Sequence, residues 1–93
     1  MKINITFDDK YVVQKFASLI FIKEGKETYI TSILNIIKNE LIISLKDKSA
    51  HSIIFKDEEN GEKFADFIQS VLDKEHKIIS TRIEGYSVEI IKG

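Results

Sequence analysis

Cysteine is absent from this chain of 93 residues, and that absence excludes several classes of protein. Without thiols there is no disulfide scaffold, no thiolate metal site and no cysteine nucleophile. Proline is absent too, so no strand edge is blunted by a residue that lacks an N–H donor. The four glycines are too few to build a P-loop or a dinucleotide-binding turn.

Arginine is nearly absent as well. Arg82 stands alone among fourteen basic residues, and the formal net charge is −1. Proteins that bind nucleic acids concentrate basic residues and favour arginine, so no nucleic-acid partner is predicted. No apolar run approaches the ~18 residues of a membrane span, and the N-terminus lacks the apolar core of a signal peptide. These features predict a cytoplasmic protein without a membrane span.

The residues that are present suit one folded domain. Hydrophobic residues make up 43% of the chain and charged residues 31%, and eighteen residues are isoleucine. Because β-branched side chains pack well on pleated surfaces, we expect sheet to dominate. The predicted class is α+β: a mainly antiparallel sheet, formed by a meander and a C-terminal hairpin, packed by one amphipathic helix.

The N-terminal third predicts a strand followed by an ambiguous segment. Apolar and polar residues alternate over 2–7, as in a half-buried strand. Residues 10–22 fit helical and strand spacing equally well. We predict a short second helix from about 9 to 17, a strand at 18–24 and a turn at 24–26, where Gly25 supplies a positive φ.

The stretch from 28 to 55 decides the fold. Threonine and isoleucine crowd 28–37, which favours a strand over a helix. Lys38-Asn39-Glu40 is predicted to turn the chain, because asparagine tolerates left-handed geometry. Strands at 41–45 and 51–55 then complete a meander.

Residues 58–74 predict the main helix. Asp57 is a suitable N-cap, and two glutamates follow in the first turn. Helical spacing places these apolar residues on one face: Phe64, Phe67, Ile68, Val71 and Leu72.

A hairpin is predicted to close the chain, with strands at 77–83 and 86–91 around Glu84-Gly85. Pairing Ile83 with Tyr86 aligns an apolar face on both strands and sets Arg82 diagonal to Glu89. That face comprises Ile79, Thr81, Ile83, Tyr86, Val88 and Ile90.

Residues suited to catalysis or metal binding are sparse. His51 is predicted at the core edge and His76 beside a helix end, with no paired-histidine spacing for zinc. The acidic run at 57–61 fails as a calcium loop, because Lys56 falls where the first carboxylate must stand. We predict no catalytic constellation, no metal site and no cofactor.

Residues 41–74 resemble the C-terminal half of a PH-like (GRAM-type) domain, in which similarly patterned strands lead into one helix. The resemblance implies a sheet roll that binds a small molecule or a lipid headgroup. Such binding needs basic residues near turns, and the candidates are Lys23, Lys26, Lys46 and Lys48.

A second stretch, Gly25-Lys26-Glu27 through Thr31-Ser32-Ile33-Leu34, is similar to HPr-type phosphocarriers. That alignment implies a short helix at 31–38. Residues 6–16 lack the histidine that the family phosphorylates, so the resemblance implies a degenerate regulatory domain without phosphotransfer.

The function predicted from these observations is a small non-catalytic module that binds a protein partner, or its own copy as a homodimer, through a sheet edge or an apolar sheet face. The isoleucine- and lysine-rich, arginine-poor composition suggests a low-GC bacterial or phage origin. Short, motif-free domains from such sources are often inhibitor, immunity or regulatory proteins, and we expect this chain to be one of them. The candidate interaction surface comprises Tyr29, Ile30, Leu34, Ile36, Arg82 and Glu89.

Overall fold

The computed structural model describes residues 1–20 and 28–93, apart from the side chains of 17–20 and 34–36. Six strands and two helices lie in these ranges, which confirms the predicted α+β class. In chain order they are β1 (Lys2–Thr6), α1 (Lys10–Ile20), β2 (Ile30–Ile37), β3 (Glu40–Leu45), β4 (Ala50–Ile54), α2 (Glu58–Leu72), β5 (Ile78–Glu84) and β6 (Ser87–Lys92).

The strands form two antiparallel sheets of three strands each, in the orders β1-β6-β5 and β2-β3-β4. A single bridge between Phe7 and Phe55 joins them just beyond β1 and β4. The Lys56 amide beside it donates to the Thr6 carbonyl at 3.0 Å. Because β1 and β4 meet at this corner, β5 and β2 are the outermost strands of the described sheets.

The chain reverses between β2 and β3 as predicted, but a different residue takes the left-handed conformation. Lys38 has φ 56°, whereas Asn39 was expected there. The amide group of Asn39 is instead used to hold the end of β4, since its Nδ2 donates to the Phe55 carbonyl at 2.9 Å. The Asn39 carbonyl also accepts from the Phe55 amide at 2.8 Å. Two bonds to a buried segment therefore decide which turn residue carries the backbone strain.

Helix α1 is longer than predicted. It continues to Ile20, so the strand expected at 18–24 is wrong for 18–20, and the rest of that strand and the turn at 24–26 lie outside the described residues. The helix buries Val13 and Phe16 on one face. Residues 10–22 fit both helical and strand spacing, and the burial of one helical face shows that the chain uses the helical spacing as far as Ile20.

Helix α2 confirms its predicted position and cap. The Asp57 side chain accepts from the Asn60 amide at 3.0 Å and from Asn60 Nδ2 at 2.7 Å. Asn60 is buried, and its Oδ1 accepts from the Thr6 amide at 2.8 Å. One side chain thus ties the start of α2 to the end of β1.

Four phenylalanine rings form the centre of the core, where the two sheets and both helices meet. Neighbouring ring centroids lie 4.9 to 5.3 Å apart. A Cβ on Gly61 of α2 would lie 3.4 Å from the Phe55 ring, within ordinary van der Waals contact, so the helix packs directly against that ring. The four rings belong to Phe7, Phe16, Phe55 and Phe64.

Candidate functional site

The C-terminal hairpin pairs in a register two residues away from the predicted one. Ile83 lies opposite Val88 instead of Tyr86, and the turn residues are Gly85 and Tyr86. Gly85 has φ +60°, a conformation that is strained for glutamate but open to glycine. Placing glycine first in the turn leaves Glu84 in the strand. From Thr81 onward, a shift of two residues keeps every side chain on its predicted face, so the apolar pattern fits both registers.

A bulge in β5 changes which isoleucine enters the core. The register shifts between Ile78, opposite Lys92, and Ser80, opposite Ile91. The extra residue is Ile79, which is 45% exposed, whereas Ile78 is buried. The prediction that Ile79 shares the buried apolar face is therefore wrong. An extra residue in one strand of a pair displaces the alternation on one side of it.

Beyond the bulge, the core-facing surface of the sheet continues onto β5, where it becomes exposed to solvent. Val88 and Ile90 of β6 are buried. Directly opposite them stand Ile83 and Thr81, which share their face but are exposed, Ile83 to 47%. Tyr86, 49% exposed, follows in the turn. We call Thr81, Ile83 and Tyr86 the β5 strip.

The backbone beside the β5 strip also offers unpaired polar groups. Glu84 and Ser87 flank a two-residue turn, so they form a hydrogen-bonded pair. Pairing alternates along an antiparallel ladder, and the N–H and C=O groups of Thr81 and Ile83 therefore point away from β6. No strand in the described ranges pairs with that edge. The edge is a template for a further strand.

The outer face of the same hairpin is polar. Arg82 stands directly opposite Glu89, not diagonal to it as predicted. Glu89 also lies 3.8 Å from Lys2 Nζ, measured from its Oε2. An exposed pair of this kind contributes about 0–1 kcal/mol to stability. The order of the charges on this face decides which charges a further strand would meet. Arg82 and Glu84 lie on it two residues apart.

The six predicted surface residues do not form one surface. Arg82 and Glu89 lie on β5 and β6, whereas the other four lie on or beside β2, which belongs to the other sheet. Of those four, Tyr29 is exposed, but Ile30 is 1% exposed and belongs to the core, so it does not contribute to an exposed surface. The side chains of Leu34 and Ile36 lie outside the described part.

Ile83 and Tyr86 were not predicted as surface residues, because the apolar pattern of the hairpin places them on a covered face. The available signal was the number of strands relative to the number of long helices. Six strands present more apolar surface than one long helix covers. Recognising it requires knowing where that helix lies across the sheet.

Three polar side chains around the turn after β3 form a hydrogen-bonded chain. Ser49 Oγ donates to Asp47 Oδ1 and lies 2.8 Å from His51 Nε2. The Ser49 side-chain bond, followed by its backbone bond, lowers the pKa of Asp47. The one hydrogen of the Ser49 hydroxyl is directed at Asp47, so Ser49 Oγ accepts a hydrogen bond from His51 Nε2 and does not donate one to it. The arrangement therefore stabilises a turn and does not activate Ser49 as a nucleophile.

A cleft of about 300 Å³ lies after the C-terminal end of α2, lined by Lys74, Glu75, His76, Lys77 and Gly93. His76 Nδ1 is buried and has no hydrogen-bond partner among the described atoms. Lys46 and Lys48, proposed above for headgroup binding, lie in and beside the turn after β3, and Lys23 and Lys26 are outside the described ranges. Residues 1–20 and 28–93 hold no cluster of three or more histidine, aspartate or glutamate residues suited to a metal ion.

Neither helix of the described chain is long and apolar enough to cross a membrane. Comparison with protein-family models, with curated proteins and with solved structures gave no match. The PH-like and HPr-like resemblances stay predictions; where the HPr-like alignment implies a helix at 31–38, the chain forms β2.

Proposed function

We propose that this chain is a small non-catalytic binding module that acts through the β5 edge, where a protein partner adds an extended strand. The observation that carries the proposal is the exposure of Thr81 and Ile83 on the same sheet face as the buried Val88 and Ile90. An apolar strip beside an unpaired edge offers both contacts that strand addition uses, backbone hydrogen bonds and alternate side-chain pockets.

The chemistry of the partner segment follows from the two faces of β5. It carries apolar residues at alternate positions to cover Ile83 and the Tyr86 ring. On the other face it carries an acidic residue to meet Arg82. Each backbone hydrogen bond contributes about 0.5–1.5 kcal/mol, and full burial of an isoleucine about 1.5–3 kcal/mol. A half-exposed Ile83 supplies roughly half of that range.

The biological role proposed with this site is regulatory: a cytoplasmic inhibitor or immunity-type protein whose partner is another protein and not a nucleic acid. Support comes from the lack of cysteine and from the low arginine content. Binding at an edge strand regulates a partner by occupying one of its extended segments.

Peptide display against the immobilised protein tests this proposal. Selected peptides are expected to shift the backbone amide signals of β5 in NMR spectra and to lose binding when alternate peptide amides are N-methylated, because methylation removes the donors of the ladder. Ile83→Lys is expected to abolish binding. Ile37→Lys is the matched control, since Ile37 is an exposed isoleucine of the other sheet. Signals that move elsewhere, or binding that tolerates N-methylation on both sets of amides, would refute strand addition.

A second candidate function is binding of a small phosphorylated ligand, as the PH-like resemblance implies. The cleft lined by Lys74, His76 and Lys77 favours it, although Glu75 also lines the cleft and opposes an anion. Titration with inorganic phosphate and with soluble lipid headgroups, followed by thermal shift, tests it. Stabilisation that is lost in Lys74→Ala/Lys77→Ala but kept in Lys46→Ala/Lys48→Ala supports this cleft. The opposite pattern supports the turn after β3, and no stabilisation removes the candidate.

A further inference from the structure

We infer that the partner of the β5 edge is a second copy of this chain, paired antiparallel about a two-fold axis that passes through Ile83. The inference rests on the proposed function and names the occupant of the same site. Its basis is the self-complementary order of charges along β5, in which Arg82 precedes and Glu84 follows Ile83.

The backbone of Ile83 allows this pairing. Its N–H and C=O groups point away from β6, so Ile83 forms a hydrogen-bonded pair with the partner's Ile83. On the outer face, Arg82 then stands opposite the partner's Glu84, and Glu84 opposite the partner's Arg82. The two-fold axis therefore generates two ion pairs from one sequence. On the other face, the two Ile83 side chains cover each other, and Thr81 meets the partner's Gly85, which has no side chain to obstruct it.

Other registers of the same two strands are less favourable. An axis at Arg82 or at Glu84 places two like charges directly opposite each other, which is destabilising. Registers offset by one residue set the apolar face against the polar one. An axis at Thr81 avoids both faults, but it exchanges the two ion pairs for contacts between Arg82 and Ser80. It also requires Ile79, which lies in the bulge, to cover Ile83.

The predicted dimer is weak and reversible. The bulge at one end and the turn at the other restrict regular ladder geometry to Ser80–Glu84. We therefore expect the dimer to bury less than the roughly 1,200 Å² of the smallest stable interfaces. Exposed ion pairs weaken as salt is added, because the Debye length falls to roughly 3 Å at 1 M. Self-association is therefore expected at high protein concentration and low salt, with β5 amide signals moving as the protein is concentrated.

Reversal of one charge at a time, in two separate variants, is the decisive experiment. Arg82→Glu leaves acidic residues at 82 and 84 of every chain, and Glu84→Arg leaves basic residues at both. Each variant alone sets like charges opposite each other and is expected to raise the dimer dissociation constant at least about tenfold. An equimolar mixture restores both opposite pairs across the two-fold axis. Sedimentation equilibrium is therefore expected to show a heterodimer at least as stable as the wild-type dimer.

A milder variant controls for effects within one chain. Arg82 also lies opposite Glu89, so Arg82→Glu introduces a repulsion inside the hairpin. Arg82→Ser removes the charge without that repulsion, and we expect it to weaken the dimer and to reduce its salt dependence. The melting temperature of each variant shows that it is folded.

Three outcomes would overturn the inference: a wild-type protein that stays monomeric at millimolar concentration, variants that dimerise as wild type does, or a mixture that gains nothing. If the protein is monomeric while selected peptides still shift β5 signals, self-pairing fails and the proposed function stands. If neither peptides nor a second copy contact β5, both fail.

Discussion

The contact between Asn60 and Thr6 supports a quantitative prediction, because one buried side chain holds α2 against β1. Replacing Asn60 with alanine removes the bond from the Thr6 amide to Oδ1, 2.8 Å long, and the bond from Nδ2 to Asp57, 2.7 Å long. The Asp57 cap on the Asn60 backbone amide is kept. The variant thus breaks the link between the two elements and leaves the helix cap intact.

The expected loss comes from the Thr6 amide, because water replaces the bond from Nδ2 to the exposed Asp57 carboxylate. The Thr6 amide is only partly buried, and leaving it without a partner costs roughly 1–2 kcal/mol. Alanine recovers a few tenths of a kcal/mol through its higher helix propensity. The free energy of unfolding is therefore expected to fall by about 1–2 kcal/mol.

Urea unfolding with linear extrapolation measures this change. Ser52→Ala is the control, because the Ser52 hydroxyl makes one exposed bond to Glu40, and its removal is expected to cost less than about 0.5 kcal/mol. A loss below about 1 kcal/mol for Asn60→Ala would contradict the argument, since solvent would then satisfy the Thr6 amide. Equal losses in the two variants would show that burial of Asn60 adds nothing.

Three further predictions concern the cap, the first turn of the meander and the core. Hydrogen bonds from the Asn60 backbone and side chain lower the pKa of Asp57 below 3.8. The contribution of the ionised Asp57 cap to the free energy of unfolding is complete above that pH and disappears as the pH falls through the lower folded-state pKa. Asp57→Asn should therefore flatten the acid side of a plot of stability against pH. Lys38→Gly relieves the left-handed φ of 56° and should raise the free energy of unfolding by about 0.5 kcal/mol; a decrease would contradict the strain. Phe64→Ala should lower it by about 3–5 kcal/mol in urea titrations, and a loss near 1 kcal/mol would mean that the ring cluster is loosely packed.

Much of the fold was predictable because it depends on neighbours in the chain. The cap of α2 needs only Asp57 and the amides that follow it, and the reversal near Asn39 needs only a run of β-branched residues interrupted by a polar turn. The strands of the meander follow from alternation and from turn residues. In each case the deciding interaction spans a few residues, so the sequence displays it directly.

The candidate site was predictable only in part. A sheet edge was expected, and β5 is one, but the residues chosen on β2 included the buried Ile30. The hairpin register could not be derived, because a shift of two residues preserves both faces. The bulge at Ile79 could not be derived either, since the apolar character of Ile78 and Ile79 is identical.

The sequence by itself determined the strands of the meander and of the C-terminal hairpin, the capped helix, and which residue types are too scarce for thiol or phosphate-loop chemistry, because these depend on local pattern and composition. Only the tertiary structure decided that α1 extends to Ile20, that Ile78 enters the core while Ile79 does not, and that Ile83 remains exposed. Those outcomes depend on how far the helices reach across the sheets. Coverage of a face is a property of the packed elements, and periodicity along one strand cannot reveal it.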